Sequence, residues 1–263
     1  MVLILSACAS TTAPDPGRGD PPPGETTDAP AHVFELELPV TISHRGGALV
    51  HPEESMEGFT ASARDGFLPE MDINFLADGT PVLIHDSSVD RTLNGVNGRV
   101  RDLSLEDWES ATIKNPTGGP EAETVTLDEV LDELGGEVVL VPEIKPGATP
   151  EEVDQVLDEF DDRGLEDSLI VQSFDWDAAT TIADRGYTSL YLFGTELPPE
   201  PLEKMVAAGI DWIGPSARLP RRDMEQLIES DLHVAPYGLT VAQDAHDLPG
   251  GISGFFVDDP WSK

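Results

Sequence analysis

The sequence predicts an α/β fold: a (β/α)8 barrel of the TIM type, with an extra hairpin strand and a small loop insertion at its mouth. Apolar strand-like runs alternate with helix-like segments from residue 37 onward, and this alternation favours parallel strands joined by crossover helices. The chain has 263 residues, of which 39% are hydrophobic, enough to bury the core of one barrel. We therefore expect a single barrel domain over residues 37–263.

Eight strand segments and six helical segments carry this prediction. The candidate strands cover residues 39–44, 68–75, 137–145, 168–174, 189–194, 211–217, 232–238 and 253–259. The candidate helices cover residues 55–66, 126–136, 149–164, 175–186, 198–209 and 221–230. Several of these helices end in Gly, which is typical of a helix stop.

The extra strand is predicted at residues 81–86. It follows the second barrel strand after Asp78-Gly79, a dipeptide that favours tight hairpin turns. The link is too short for a crossover between parallel strands, so the two segments should pair antiparallel. A turn centred on Asp78-Gly79 would lay Asp72 opposite His85. Residues 87–125, with several Asn-Gly and Gly-Gly pairs, are predicted to form the insertion over the barrel mouth.

The N-terminus has two segments that do not fit a barrel. Residues 1–8 resemble a truncated lipoprotein-type signal, an apolar run that ends in Ser6-Ala7-Cys8. Residues 9–36 are rich in Pro, Gly and Thr and are predicted to be a disordered linker. We therefore expect an extracytoplasmic protein, lipid-anchored to the cell membrane at Cys8 like a bacterial lipoprotein, or secreted. A plain apolar tail is the alternative.

The charge of the chain limits its partners. Asp and Glu number 51 against 15 Lys and Arg, which gives a formal net charge of −36. Such a surface repels nucleic acid and anionic membranes, so nucleic-acid binding is excluded and membrane contact is expected only through the anchor. We expect a monomer or a small homo-oligomer.

Acidic residues gather where predicted strands end. Glu70 and Asp72 alternate on the second strand, and Glu143 lies at the end of the third. The carboxyl ends of barrel strands form the active site, so these side chains should meet, with Glu53 behind them. Three converging carboxylates raise one another's pKa unless a cation joins them. Oxygen ligands suit Ca²⁺ or Mg²⁺, and Zn²⁺ less well unless a His takes part.

Two histidines and two cations are expected beside this metal site. His44 and His85 would supply a proton acceptor and a proton donor near neutral pH, and Arg45 and Lys145 would bind an anion. Metal, imidazoles and cations together suit transfer at a phosphodiester. Each piece also has a structural alternative, such as a core imidazole for His85 or an interior ion pair for Glu143 and Lys145. Their conjunction at strand ends favours catalysis.

With these residues in place, the chain resembles the glycerophosphodiester phosphodiesterase family from about residue 40 to 260. The segments "SHRGG…HPEES" and "PEMDINFLADGTPVLIHDSSVDRT" match its opening and most distinctive blocks, and "TLDEVL", "PEIK", "VQSF" and "GFFVDDP" follow in order. The sequence departs from the family pattern at several positions within its motifs. The departures are Glu54 and Ser55 in "PEES", Leu239 and Ala242 in "LTVA", and Val257.

The resemblance implies a metal-dependent barrel that hydrolyses a small-molecule phosphodiester to glycerol 3-phosphate and an alcohol. It assigns Ca²⁺ or Mg²⁺ to Glu70, Asp72 and Glu143. It implies that His44 and His85 are the catalytic acid and base, in an order left open, and that Arg45 and Lys145 bind the phosphate. It also implies attack by the substrate's own glycerol hydroxyl, giving a cyclic phosphate. Two alternatives are a phospholipase D-like lyase acting on lyso- or sphingo-phospholipids, and a non-catalytic binding lipoprotein.

Overall fold

A curled parallel sheet forms the centre of the protein in the computed structural model, which describes residues 29–262. All strands, in chain order, are β1 (Val40–Ser43), β2 (Leu68–Phe75), β3 (Pro81–Leu83), β4 (Leu93–Asn94), β5 (Thr112–Ile113), β6 (Ala122–Glu123), β7 (Val141–Ile144), β8 (Ile170–Ser173), β9 (Thr188–Phe193), β10 (Trp212–Pro215), β11 (His233–Val234), β12 (Leu239–Val241) and β13 (Gly254–Asp259). The parallel strands pair in the order β11-β10-β9-β8-β7-β2-β1-β13-β12.

The strands at the two ends of this order, β11 and β12, follow each other directly in the chain. The strand predicted at 232–238 is replaced by β11 and β12, because Pro236 has no amide proton to donate and Gly238 takes a positive φ of 88°. Between them, the amide of Ala235 donates to Ile213 in β10. On the other side, Phe256 in β13 donates to the carbonyl of Pro236. The parallel sheet therefore curls back on itself, which is consistent with the predicted α/β barrel.

Helices cover the outside of the sheet. They are α1 (Met56–Arg64), α2 (Leu105–Ser110), α3 (Leu127–Leu134), α4 (Pro150–Asp161), α5 (Trp176–Asp184), α6 (Leu202–Ala207) and α7 (Arg221–Ile228). In α4, the buried residues Val153, Val156, Leu157 and Phe160 follow the i, i+3, i+4, i+7 pattern of one helix face. Capping boxes at Thr126 and Thr149 fix the starts of α3 and α4. The buried residues of α4 thus form one apolar face that packs into the core.

The hairpin register differs from the sequence prediction by one residue. β3 pairs antiparallel with β2, with Ile73 opposite Leu83, so Asp72 faces Ile84 rather than His85. The amide of Leu76 donates to Thr80, which leaves a three-residue loop, 77–79, instead of a two-residue turn. Gly79 takes the positive φ, 89°, that such loops place at their last position. The predicted pairing of Asp72 with His85 is therefore wrong.

The insertion, residues 87–125, has its own small sheet and core. Strands β4, β5 and β6 pair antiparallel, and α2 packs beside them. Trp108 in α2 is 1% exposed and lies in a cluster of buried apolar residues shared with the β2–β3 hairpin. The sequence did not predict this sheet, because strands of two residues are too short to show any periodicity.

The folded part extends further towards the N-terminus than residue 37. Ala29 is buried, the amide of Val139 donates to the carbonyl of Pro30, and that of Val33 donates to Asp167. Residues 29–36, which were predicted as linker, therefore pack on the barrel. The Cys8 signal and the rest of the predicted linker lie outside the described residues. Within 29–262, no helix combines the length and apolar character needed to cross a bilayer.

Candidate active site

Glu70, Asp72 and Glu143 converge at one end of the sheet. β2 and β7 pair in parallel with Asp72 beside Glu143, and Glu70 lies two residues earlier on β2. All three side chains are buried, and one carboxylate oxygen from each lies within 4.8 Å of the others. The structure therefore brings together the three acidic residues that the sequence assigned to a metal.

The three carboxyls titrate very differently because they share one buried space. Burial and the charge of Asp72 raise the pKa of Glu70 to about 7. The same two causes, in the same order, raise the pKa of Glu143 well above its usual range. Burial opposes ionisation of Asp72 too, but Lys145 and Arg45 outweigh it and lower the pKa of Asp72. Without a cation, the three groups therefore do not all ionise together near neutral pH.

Unsatisfied oxygens show that these residues fit a divalent cation. Asp72 Oδ2 and Glu143 Oε1 are buried and accept no hydrogen bond, although cationic nitrogens lie 3.2 and 3.0 Å away in poor hydrogen-bond geometry. Gln172, on β8, donates from Nε2 to Glu70 Oε1 at 3.0 Å and leaves its own buried Oε1 unpaired. Buried oxygens without donors are costly unless a cation binds them. A set of carboxylate and amide oxygens suits Ca²⁺ or Mg²⁺.

His44 forms a tight pair with a residue from the far end of the chain. Its Nδ1 lies 2.6 Å from Asp258 Oδ1, at the end of β13. Burial disfavours the imidazolium, but the charge of Glu70 and the bond to Asp258 outweigh it and raise the pKa of His44. The backbone next to His44 is also fixed in position, because the amide of Arg45 donates a hydrogen bond to Glu70 Oε2 at 2.7 Å. His44 is thus held by groups from β2 and β13.

His85 also faces a carboxylate, but its pKa is shifted in the opposite direction from that of His44. Its Nδ1 lies 2.8 Å from Asp86 Oδ1, while Asp86 Oδ2 accepts from Arg91 Nε at 2.6 Å. Burial is the main cause that lowers the pKa of His85 below its usual value. In both histidines Nδ1 faces a carboxylate, which leaves Nε2 as the nitrogen available for proton transfer.

The two predicted phosphate-binding cations lie against the acidic cluster. Lys145 Nζ is 3.1 Å from Asp72 Oδ1 and 3.0 Å from Glu143 Oε1. Arg45 Nε is 3.2 Å from Asp72 Oδ2, in a backbone turn that gives Arg45 a φ of 53°. Arg45 lines the cleft that contains the two histidines, whereas Lys145 contacts Asp72 and Glu143 without lining that cleft.

Glu53, which was predicted to lie behind the metal-site carboxylates, contacts arginines instead, and the neighbouring Glu54 contacts Asp72. Glu53 lies 3.5 Å from Arg45 Nη1 and binds Arg91 through both oxygens, so it contacts cations. Glu54 is 2% exposed, has a φ of 59°, and accepts from the amide of Asp72 at 3.2 Å. Burial, followed by the charges of Asp72 and Glu70, raises the pKa of Glu54 well above its usual range. Glu54 is therefore the acidic neighbour that lies directly behind Asp72.

A cleft of about 250 Å³ joins these groups. One side is polar and contains His44, Arg45, Glu70, His85, Glu143 and Gln172. The other side is apolar and contains Phe174, Leu192, Tyr237 and Phe256, with Phe174 and Tyr237 in edge-to-face contact at 5.6 Å. The cleft therefore offers a charged half for an ionised group and an apolar half for an uncharged one.

Five polar residues around this site were not assigned by the sequence analysis: Glu54, Asp86, Arg91, Gln172 and Asp258. Asp86 and Asp258 lie within the motifs "HD" and "VDDP", but the motifs do not show which histidine each carboxylate faces. Gln172 carries no charge and lies mid-strand, so its type gave no signal. Glu54 reaches the site only because its backbone takes a left-handed conformation, which its residue type does not favour.

Comparisons with known proteins agree with this geometry. The profile of the glycerophosphoryl diester phosphodiesterase family matches residues 44–261. Glycerophosphodiester phosphodiesterase of Bacillus subtilis is 25% identical over 250 residues, 84% of either chain. Glycerophosphodiester phosphodiesterase 1 of Bos taurus is 47% identical over 66 residues, 25% of this chain and 20% of the bovine protein. This chain thus matches about a fifth of the length of that mammalian relative.

Solved structures show the same fold. A phosphodiesterase of Oleispira antarctica, solved with the product sn-glycerol-3-phosphate, superposes with a TM-score of 0.74 at 20% identity and covers 85% of this chain and 94% of its own. A glycerophosphodiester phosphodiesterase of Thermotoga maritima gives a TM-score of 0.68 at 20% identity, over 86% and 96%. The resemblance drawn from the motifs is confirmed. The chain belongs to the glycerophosphoryl diester phosphodiesterase family.

Proposed function

We propose that this protein hydrolyses glycerophosphodiesters to glycerol 3-phosphate and an alcohol, with a divalent cation. The observation that carries the proposal is one cleft in which Glu70 and Glu143, members of a buried carboxylate trio with unsatisfied oxygens, lie beside two histidines that each face a carboxylate. Family membership and the product named for the Oleispira antarctica relative support the substrate class.

The cation and the two basic residues would act on the phosphate. Glu70, Asp72 and Glu143 would hold Ca²⁺ or Mg²⁺, which when bound supplies Lewis-acid stabilisation of charge on the phosphoryl oxygens. Arg45 lines the cleft and Lys145 lies beside Asp72 and Glu143, and both would contact the remaining anionic oxygen. These contacts gain strength in a cleft with little water, because charges interact more strongly at low dielectric.

The carboxylate partners favour opposite roles for the two histidines. Asp258 faces His44, and this carboxylate favours the imidazolium form. Asp86 is shared with Arg91, whose charge offsets that of the carboxylate beside His85. We therefore assign His44 as the general acid that protonates the leaving alkoxide, and His85 as the general base. The glycerol hydroxyl would lose its proton to His85 and attack phosphorus, and water would later open the cyclic phosphate.

A product assay tests the proposal directly. Glycerophosphocholine, glycerophosphoethanolamine and glycerophosphoglycerol are incubated with metal-free protein and with added Ca²⁺ or Mg²⁺, and glycerol 3-phosphate is measured. We expect metal-dependent release of glycerol 3-phosphate from at least one of them. Release of free phosphate or choline phosphate instead, or no turnover of any substrate, would contradict the proposal.

Asp258→Asn should move the alkaline limb of the pH profile of kcat to lower pH. The change removes the charge that faces His44 Nδ1, so the pKa of His44 falls and its proton is lost at lower pH. The control is Asp259→Asn, which removes the same charge from the next residue, whose carboxylate instead binds the backbone amides of Trp261 and Ser262. An alkaline limb that stays in place would remove His44 as the acid.

The apolar half of the cleft favours one second candidate, a phospholipase D-like lyase acting on lyso-phospholipids. Phe174, Leu192, Tyr237 and Phe256 offer a surface that a glycerol backbone does not need in full. Assaying lysophosphatidylcholine beside glycerophosphocholine separates the two activities. Exclusive turnover of the lyso-lipid would replace the first proposal with the second.

Attachment to a membrane remains a proposal from the sequence. A lipid on Cys8, followed by the linker, would place the barrel outside the cytoplasm, where deacylated phospholipids and related glycerol-phosphate compounds would be its substrates.

A further inference from the structure

A chain of ion pairs joins the proposed base to the proposed phosphate-binding arginine. It runs from His85 to Asp86, from Asp86 to Arg91, from Arg91 to Glu53, and from Glu53 to Arg45. The central member is Arg91, whose Nη1 and Nη2 donate to the two oxygens of Glu53 at 2.7 Å each, while its Nε donates to Asp86 at 2.6 Å. Bidentate arginine–carboxylate contacts fix direction as well as distance.

The insertion holds Arg91 in place through its backbone. Lys114, which follows β5, donates from Nζ to the carbonyls of Asp90 and Arg91 at 2.8 and 3.1 Å. The amide of Gly98 donates to Asp90 Oδ1 at 2.8 Å, which closes the loop on the other side. The turn that carries Arg91 is therefore braced by two separate parts of the insertion.

We propose that Arg91 is a positioning residue of the active site, and that the insertion serves to hold it there. Arg91 keeps Asp86 against His85 Nδ1 and keeps Glu53 against Arg45, so that one side chain sets the orientation of both groups. This inference rests on the proposed roles of His85 and Arg45 and extends them to a residue that touches neither the substrate nor the cation.

Arg91→Gln should lower kcat by roughly tenfold to a hundredfold, the size expected when a reacting group is misplaced by about 1 Å. The acid limb of the kcat profile should also move to higher pH. The variant removes the positive charge of Arg91 next to the His85–Asp86 pair, while Asp72, Arg45 and Lys145, the other charged groups that face His85, are unchanged. A purely structural role would leave that limb in place.

Two further variants test whether the loss of activity depends on the contacts of Arg91 with both carboxylates. Arg91→Lys retains the charge but cannot bind both carboxylates in the same geometry, so an intermediate kcat is expected. Arg101→Gln is the matched control: Arg101 is another arginine of the insertion that pairs with a glutamate, Glu152, at 2.5 and 3.0 Å, but it contacts neither the chain of ion pairs nor the residues that brace Arg91. We expect wild-type kcat and an unmoved acid limb in Arg101→Gln.

The inference is overturned if Arg91→Gln keeps the wild-type kcat and pH profile, or if Arg101→Gln loses as much activity as Arg91→Gln. Thermal unfolding checks that each variant is folded, and Arg91→Lys carries the test if Arg91→Gln is not. Failure of the underlying mechanism looks different, because His85→Ala would then stay active. An inactive His85→Ala beside a normal Arg91→Gln would refute only the role of Arg91.

Discussion

Replacing His85 by Ala is expected to lower kcat by about 10²–10⁴-fold while the protein stays folded. The factor is that typical of a lost general acid or base. Folding should survive because the His85 side chain is 36% exposed and Asp86, the carboxylate that it contacts, remains bound to Arg91. The measurement is kcat for the best glycerophosphodiester at saturating metal, together with a thermal unfolding curve.

The matched control for this prediction is His51→Ala. His51 also holds a carboxylate at Nδ1, that of Glu57 at 3.0 Å, but it packs against Trp261 outside the cleft. Its removal should leave kcat close to that of the wild type. Activity of His85→Ala within a few fold of wild type would take His85 out of the mechanism, whatever happens in the control.

Replacing Glu143 by Gln is expected to weaken Ca²⁺ or Mg²⁺ binding by more than about 100-fold, since even partners behind metal ligands are worth about 10–100-fold. Turnover should fall in parallel, and chelation by EDTA should inactivate the wild type until Ca²⁺ or Mg²⁺ is restored. Gln matches the size of Glu but removes the charge. Calorimetric titration with each metal gives the affinity.

Unfolding provides a second measurement for Glu143→Gln. The metal-free variant should be no less stable than the metal-free wild type, because burial and the charge of Asp72 oppose ionisation of the Glu143 carboxyl and raise its pKa. The rise in melting temperature on adding metal should disappear in the variant, because a ligand stabilises the folded state only when it binds to that state. The control is Glu159→Gln in α4, another carboxyl whose pKa burial raises. An undiminished metal shift in Glu143→Gln would refute the metal site.

The sequence was enough to predict which residues lie at the strand ends, but not all of the contacts that these residues make. Glu70, Asp72 and Glu143 could be placed together because strand ends of a parallel barrel share one edge. The hairpin register could not be fixed, since Asp78-Gly79 fits both a two-residue turn and the three-residue loop that forms. His85 still reaches the cleft, because the chain leaves β3 after Leu83 and register no longer governs its direction.

The missed residues share a physical cause. Asp258 lies 214 positions from His44, so only the closing of the barrel brings them together. Arg91 lies in an insertion whose strands are two residues long, and nothing local shows that its guanidinium reaches Glu53. Contacts of this kind depend on side-chain direction across distant segments, which residue type and spacing do not specify.

The raised pKa values of Glu70 and Glu143 have a consequence for the environment in which the protein works. Burial and Asp72 raise the pKa of Glu70 to about 7 and raise that of Glu143 well above its usual range, so binding of a cation should release protons, because a metal ligand has to be ionised. Apparent metal affinity should therefore rise as the medium becomes more alkaline and decline in acid. Protons and the cation compete for the same carboxylate oxygens. At acidic pH the cation would therefore dissociate, and the protein would lose activity without unfolding.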